Sequence, residues 1–295
     1  MEDNGAGFGR IAIVGVGLIG GSLALALKAA GAVREVVGVG RDPASLALAL
    51  KHGLIDRASD LAGALVDCDL VLLATPVGQM GGIMQAMSSQ LEPQTLVTDA
   101  GSTKQDVVAL MRGHLSGHLV NCVPAHPIAG AELSGPLAAR ADLYQGKNVV
   151  LTPLAETSAD AVARITRFWQ LCGGLVCCMD AASHDATFAA VSHLPHVLAY
   201  ALVDMIASRA NRQELFGFAA SGFRDFTRIA GSSPEMWRDI FLANREPLLD
   251  ELDVYRAQLD RLRAMLEQGD GAALEKVFSR ARAARNKWIA KKNLD

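Results

Sequence analysis

The sequence lacks an excess of positive charge, a paired-cysteine pattern and, at one position discussed below, an expected acidic side chain. Its 28 Lys and Arg against 31 Asp and Glu give a formal net charge of −3. That balance provides no electrostatic footprint for nucleic acid or an anionic membrane. The five cysteines, Cys68, Cys122, Cys172, Cys177 and Cys178, form no C-x-x-C pair and have no histidine at metal spacing. A structural zinc site is therefore not expected, and no metal is; the expectation is buried thiols in a reducing compartment. No apolar run reads as long enough and charge-free enough to span a bilayer. The start, "MEDNGAGFGR", is acidic and glycine-rich, unlike a signal or transit peptide, so a cytoplasmic location is expected. There is no internal repeat or low-complexity tract, and no appended regulatory domain is expected.

The 295 residues, 51% of them hydrophobic, suffice for one large or two ordinary domains. From about residue 10 to 180, short β-branched runs alternate with helical stretches. These runs are "RIAIVG" (10–15), "EVVGV" (35–39), "DLVLLAT" (69–75), "TLVTDA" (95–100), "LVNCVPA" (119–125), "NVVLTP" (148–153) and "GLVCCMD" (174–180). Near-continuous apolar strands separated by amphipathic helices predict a parallel sheet covered on both faces. After Asp180 the strand signal stops, and residues 181–295 are rich in Ala, Leu, Arg and Glu at helical spacing. The expectation is an α/β domain over 1–180 and an all-helical domain over 181–295. The final basic helix, "EKVFSRARAARNKWIAKKN", is expected to pack Val277, Phe278 and Trp288 inward and to solvate its charges.

Within "AIVGVGLIGGSLALAL" (12–27), Gly15, Gly17 and Gly20 form G-x-G-x-x-G between a strand and a helix beginning near Leu18. Gly15 permits the tight turn, Gly17 lets a pyrophosphate approach the backbone, and Gly20 lets helix and strand pack closely. The first-turn amides near Leu18 and Ile19, with the positive end of the helix, suit a dinucleotide phosphate. Thr75 and Pro76 end another strand, either lining the nicotinamide side or making a plain turn. The missing acid belongs here. In "VVGVGRDP" (36–43), Gly40 stands where a carboxylate would hold the adenosine ribose, and Arg41 follows. Gly removes repulsion of a 2′-phosphate and Arg supplies a partner for it, which favours NADP over NAD. Asp42 either takes the ribose role or caps the next helix, with Pro43 at its first position.

Three further stretches look chemical. "TDAGSTK" (98–104) puts Ser102 in a turn after a strand, as a ligand contact or a helix cap. "PAHPIAGAELSG" (124–135) presents His126 in a strand-end loop, with Glu132 after it. "SHLPH" (192–196) carries His193 and His196 around Pro195, which must start or kink a helix. "SGFRDFTRIAGSSPEMWRDIFLANR" (221–245) adds Asp225, Arg228 and Trp237; Arg228, if buried, needs an anion.

Taken in order, "GVGLIGGS", "TDAGSTK", "HPIAG", the "HD" at 184–185 with "SHLPH", and "GFRDFTRIA" with Trp237 resemble the prephenate/arogenate dehydrogenases of tyrosine biosynthesis. The resemblance runs over nearly the whole chain. It implies a Rossmann-type domain followed by a helical domain that forms a homodimer, with the active site between them. The implied reaction moves a hydride from C4 of a cyclohexadiene to the nicotinamide, while C1 loses CO₂ and the ring aromatises. His126 matches the group that accepts the C4 hydroxyl proton, and Ser102 the group that orients that region. Arg228 matches a clamp on the ring carboxylate, and His193 or His196 the contact to the side-chain carboxylate or keto group. Glu132, Asp225 and Trp237 match supporting or gating positions, Asp225 by pairing with Arg228. Nothing chooses between prephenate and arogenate. A reductase of the β-hydroxyacid dehydrogenase type, or a non-catalytic nucleotide sensor on the same fold, are the competing readings.

Overall fold

In the computed structural model, residues 7–130 and 135–292 are described. Chain order is β1 (Phe8–Val14), α1 (Leu18–Ala29), β2 (Val33–Val39), α2 (Pro43–Lys51), β3 (Arg57–Ala58), α3 (Leu61–Leu65), β4 (Leu70–Leu73), α4 (Val77–Met87), β5 (Leu96–Asp99) and α5 (Gln105–His114). There follow β6 (Cys122–Val123), β7 (Ala125–Pro127), β8 (Asn148–Leu151), α6 (Ala159–Leu171) and β9 (Leu175–Cys178). The remainder is helical: α7 (Ala181–Phe188), α8 (Leu194–Ala207), α9 (Arg212–Gly217), α10 (Ser221–Thr227), α11 (Pro234–Ala243), α12 (Arg245–Glu267) and α13 (Gly271–Lys292).

Six strands form a parallel sheet in the order β3-β2-β1-β4-β5-β6. This is the doubly wound dinucleotide-binding order, whose switch point lies between β1 and β4. Side chains alternate faces along a strand, and both faces are covered. Ile11, Ile13, Leu70 and Leu72 join one core cluster, while Ala12, Val14, Val71 and Leu73 join the other. That is why the strands read as continuous apolar runs.

The expectation of one sheet holding all seven runs is corrected. Runs 148–153 and 174–180 form a separate three-stranded sheet, β7-β8-β9, with β7 antiparallel to β8. The run 119–125 is divided between the two sheets by Pro124, which cannot donate to either ladder. The two-residue β3 carried too little pattern to be read. Because β9 is an edge strand, Cys177 and Cys178 are exposed, contrary to the expectation of burial. Cys68, Cys122 and Cys172 are buried, and burial pushes their thiols up to about 11, 12 and 12.

Nothing after Asp180 is strand among the described residues. Here a second expectation is corrected. The helical run Ala181–Ala207 has a mean hydropathy of 1.4 over its most apolar window and is long and apolar enough to cross a membrane by length and composition alone. It carries His184, Asp185 and His193, and all three are buried in the structure. The run is not one regular helix. Residues Ala189–His193 make a π turn before α8, whose second residue is Pro195. Such a wide turn in a helix often marks a functional site.

The chain divides into two compact units, one ending at Arg245 and one starting at Glu246. Helices α7 to α11 thus pack with the α/β part. The second unit is a helix pair joined through Gly269, at φ +65°, with Asp270 accepting from Ala273 N at 2.9 Å. On α13 Val277 is buried, but Phe278 and Trp288 are exposed, correcting the expectation that all three pack inward. Adjacent positions 277 and 278 lie about 100° apart around a helix, so a single contact line cannot cover both.

Candidate active site

The nucleotide turn has the geometry its glycines predict. Gly15 sits at φ +101°, and a Cβ there would meet Ala74 O at 2.6 Å. A Cβ on Gly20 would lie 2.3 Å from Gly15 O, so helix and strand meet there without side chains. Gly17 has nothing within 4 Å of such an atom, leaving its face open to a ligand. Gly17 is also the N-cap of α1, with no side-chain cap and no acid in the first turn. The amides of Leu18 and Ile19 therefore begin a helix whose positive end suits a diphosphate. Beside this turn, Thr75 follows β4 and Pro76 is the N-cap of α4; the Thr75 hydroxyl is buried with no partner among the described residues. These residues fit a dinucleotide.

Gly40 and Arg41 are exposed beyond the end of β2. Asp42 is the N-cap of α2, accepting from Ala44 N and Ser45 N at 3.1 Å each and from Ser45 Oγ at 2.6 Å. The Ser45 hydroxyl first, then the two amides, hold its carboxyl below the ordinary range. Of the two sequence alternatives for Asp42, the geometry matches the cap. An Asp42→Ala variant is expected to lower Tm slightly, through loss of the α2 cap, while dinucleotide affinity stays unchanged. A calorimetric scan with a binding titration checks both; a large loss of affinity would return Asp42 to the ribose.

His126 lies on strand β7, paired opposite Val150, and not in a loop as the sequence suggested. Its backbone is held through its neighbour. Buried Asp99, at the end of β5, accepts from Ala125 N at 2.9 Å, and buried Lys104 Nζ donates to Ala125 O at 2.8 Å. Lys104 and Asp99 also form an ion pair, both side chains at 0% exposure. Ser102, half-buried in the turn before α5, does not cap that helix. The cap comes from 80 residues away: Asp185 accepts from Lys104 N and Gln105 N at 2.8 Å each.

Asp185 begins a relay whose protons can be assigned. Burial opposes its ionisation, but bonds from His184, Gln105 N and Lys104 N outweigh that and hold the carboxyl below its ordinary range. A carboxylate only accepts. His184 Nδ1, 2.7 Å from Asp185 Oδ1, must therefore carry a proton. Burial also keeps His184 below its ordinary range, so the ring is neutral at pH 7 and its Nε2 is a lone pair. That nitrogen lies 2.8 Å from His126 Nδ1. His126 must then donate from Nδ1, leaving its own Nε2 as a lone pair. Burial first, then His184, Lys104 and His193, hold His126 well below the usual histidine value. Phe188 packs on both rings, at centroid distances of 4.8 and 4.5 Å. The arrangement is an imidazole poised to accept a proton at one defined atom.

His193 and His196 flank Pro195. His193 is buried at the end of the π turn, and burial pushes it down to about 4. His196 is half-buried, stacks on Trp237 at 3.5 Å with 22° between planes, and has Nδ1 2.9 Å from Ser192 O. A carbonyl oxygen accepts, so His196 donates from Nδ1. Trp237 is buried in α11, and its Nε1 has no partner among the described residues. Arg228 opens a short helical turn after α10 and is exposed; its charge contributes to holding His196 below its ordinary value, after burial. Asp225 is exposed, with Oδ1 3.8 Å from Arg224 Nε. Glu132 lies outside the described residues.

With this geometry in view, the comparisons decide the family. Residues 23–178 match the prephenate dehydrogenase nucleotide-binding domain, and residues 180–280 match the prephenate dehydrogenase dimerization domain. The chain belongs to the prephenate dehydrogenase family. It is 39% identical over 94% of its length to the cyclohexadienyl dehydrogenase of Zymomonas mobilis, covering 95% of that protein. It is 36% identical over 94% of its length to the prephenate dehydrogenase of Bacillus subtilis, covering 75% of that protein. Among solved structures it resembles prephenate dehydrogenase from Aquifex aeolicus in complex with hydroxyphenyl propionate and NAD⁺. The TM-score is 0.91 at 34% identity, covering 96% of this chain and 99% of that one. As a member of the prephenate dehydrogenase family, the chain is an oxidoreductase that uses a nicotinamide dinucleotide.

Five members of this constellation were not singled out from the sequence: Asp99, Lys104, His184, Asp185 and Asn244. Asp99 and Lys104 both stand in "TDAGSTK", where a lysine five residues after an aspartate at the end of an apolar strand is a usable signal of pairing. His184 and Asp185 stood in the quoted "HD". Asn244, whose Nδ2 donates to Asp185 O at 2.8 Å, follows α11 in an ordinary "LANR" and carried no local signal.

Proposed function

We propose that this family member oxidises prephenate to 4-hydroxyphenylpyruvate and CO₂. The observation carrying the reading is the relay Asp185–His184–His126, which leaves His126 Nε2 as a proton acceptor. His126 takes the C4 hydroxyl proton as that oxygen becomes a carbonyl, and returns it when decarboxylation leaves a phenolate. The nicotinamide, when bound, takes the hydride from C4. Ser102 orients the hydroxyl region; Arg228 clamps the ring carboxylate; His193 or His196 meets the side chain, with Trp237 supporting His196. Asp225 and Glu132 are assigned supporting or gating roles. Gly15, Gly17, Leu18, Ile19, Gly20, Thr75 and Pro76 hold the dinucleotide.

In this reading the dinucleotide is NADP in preference to NAD, because Asp42 is engaged in its cap while Gly40 and Arg41 stand open. Functionally the chain divides into a nucleotide domain over 1–180 and a helical domain over 181–295, the latter forming a homodimer. The apolar surface of the run Ala181–Ala207, with exposed Val191 and Met205, supports such a partner. Arogenate as an additional substrate is the second reading, favoured by the name of the Zymomonas relative.

A two-by-two assay, prephenate and arogenate each with NAD and NADP, tests both choices by absorbance of the reduced nicotinamide. Turnover with prephenate and NADP is expected, and no turnover with either cyclohexadiene would remove the function. Arg41→Ala is expected to raise the KM for NADP at least about tenfold, the scale of one lost charge-assisted bond. The KM for NAD should hold; equal losses for both would mean that Arg41 does not read the phosphate.

A further inference from the structure

Tyr144 is 0% exposed and takes no part in the chemistry described above. Its ring packs edge-on against Trp169 of α6, with centroids 5.5 Å apart and 70° between planes. A ring so enclosed cannot swing away, and its hydroxyl ends 2.7 Å from the backbone O of Ile19, in the first turn of α1. Burial pushes the phenol well above its ordinary range, so the group keeps its proton and donates. A buried tyrosine hydroxyl needs such a partner. Ile19 O does not need the tyrosine, because within α1 it already accepts from the amide one turn on. The bond is a second one on a carbonyl with two lone pairs, so its effect is on the geometry of that peptide.

Ile19 O and Gly20 N belong to one peptide plane. In the first turn of α1 the amides of Leu18, Ile19 and Gly20 have no carbonyl one turn back, whereas Gly21 N reaches Gly17 O at 2.8 Å. The stretch that carries Tyr144 is fastened to the same helix at two further points. Arg140 N donates to the hydroxyl of buried Ser22 at 3.0 Å, and a Cβ on Gly21 would lie 3.0 Å from Ala139 Cβ. A 3-10 turn at Pro136–Ala138, just before these residues, packs on α1 and α2.

We propose that Tyr144 is a positioning residue for the dinucleotide, its hydroxyl holding the Ile19–Gly20 peptide so that Gly20 N–H is aimed at the pyrophosphate. The inference rests on the dinucleotide lying at the glycine turn. Two effects add. The held carbonyl sets the plane of the peptide, and so the direction of the N–H at its other end. A hydrogen bond accepted by the carbonyl also draws charge from the amide nitrogen and strengthens its N–H as a donor. A negatively charged acceptor gains most from such a donor. Tyr144 lies in the connection from β7, the strand of His126, to β8. One stretch of chain thus carries the base at its start and braces the phosphate helix further along.

Tyr144→Phe removes the hydroxyl and keeps the ring. Ile19 O retains its bond within α1, so no carbonyl is orphaned and the variant is expected to fold. Fluorescence titration of the reduced dinucleotide is expected to show a Kd raised about three- to fivefold, within the scale of one neutral hydrogen bond. ADP-ribose, which has the pyrophosphate without the nicotinamide, should lose the same factor. The KM for prephenate and kcat at saturating dinucleotide should hold. Phe168→Leu is the control, since it loosens the packing on Trp169 without touching the hydroxyl; Tm should fall while the Kd holds. An unchanged Kd in Tyr144→Phe would overturn the proposal, and an equal rise in Phe168→Leu would reduce Tyr144 to packing and overturn it too. A loss seen for the dinucleotide but not for ADP-ribose would refute the aim at the pyrophosphate. The titrations do not depend on the substrate being prephenate. Wild-type protein that bound neither ligand would remove the nucleotide site itself and the proposal with it, a failure distinct from that of Tyr144 alone.

Discussion

His126→Ala is expected to reduce kcat by about 10²- to 10⁴-fold, the usual contribution of a positioned general base. Dinucleotide affinity should be unchanged, because the glycine turn and Thr75 are untouched. Steady-state kinetics with a fluorescence titration of the reduced dinucleotide would check both, and a variant keeping a tenth of wild-type turnover would take His126 out of the chemistry. The wild-type pH profile follows from the same site. Burial, His184, Lys104 and His193 lower the pKa of His126, so its base form persists below the ordinary histidine range near 6.5. The acid limb of kcat/KM should accordingly fall at lower pH than for an unperturbed histidine. For stability the sign is the opposite. The unfolded chain takes up a proton on each such ring below about 6.5 and the folded chain does not, so acid favours unfolding. His184, His193 and His196, all lowered first by burial, add to that slope.

Lys104→Met is expected to cost about 3–5 kcal/mol of stability, since it leaves Asp99 charged and buried without its cation. Asp99 keeps its bonds from Gly101 N at 2.7 Å and Ala125 N at 2.9 Å, and these soften the loss without replacing a charge. For a unit of this size the loss corresponds to a fall in Tm of roughly 10 °C. Activity at a permissive temperature should fall too, because Lys104 Nζ holds the carbonyl of Ala125, which precedes His126. Thermal unfolding of the pure protein measures the first effect, and a Tm within 2–3 °C of wild type, about 1 kcal/mol, would show that the pair is dispensable. Replacing both partners by apolar residues should recover much of the stability but not the orientation of His126.

The features legible in the sequence are those whose cause is local. The glycine turn at Gly15, Gly17 and Gly20 needs only the strand before it and the helix after it. The cap of α2 was readable because Asp42, Pro43 and Ser45 lie within one turn. The apolar runs announced buried strands, since a strand covered on both faces has no polar side to show. The same runs did not reveal which sheet they join, because register between distant strands is absent from any one of them. Runs 148–153 and 174–180 look like the others, yet they join the sheet of His126's strand and not that of β6. Exposure failed for a related reason: Cys177 and Cys178 are apolar in context but occupy an edge.

By itself the sequence determined a dinucleotide-binding α/β fold with a helical continuation, the place of the phosphate turn, and the residue types available for chemistry. It named His126, His193 and His196 but could not say what each ring offers. Only the tertiary structure decided that, because a neutral imidazole takes its tautomer from the group facing it. Those groups are far away in the chain: His184 is 58 residues from His126, and Asn244 is 51 from His193. The fold brings both pairs to Asp185, whose carboxylate accepts from His184 Nδ1 and whose backbone oxygen accepts from Asn244.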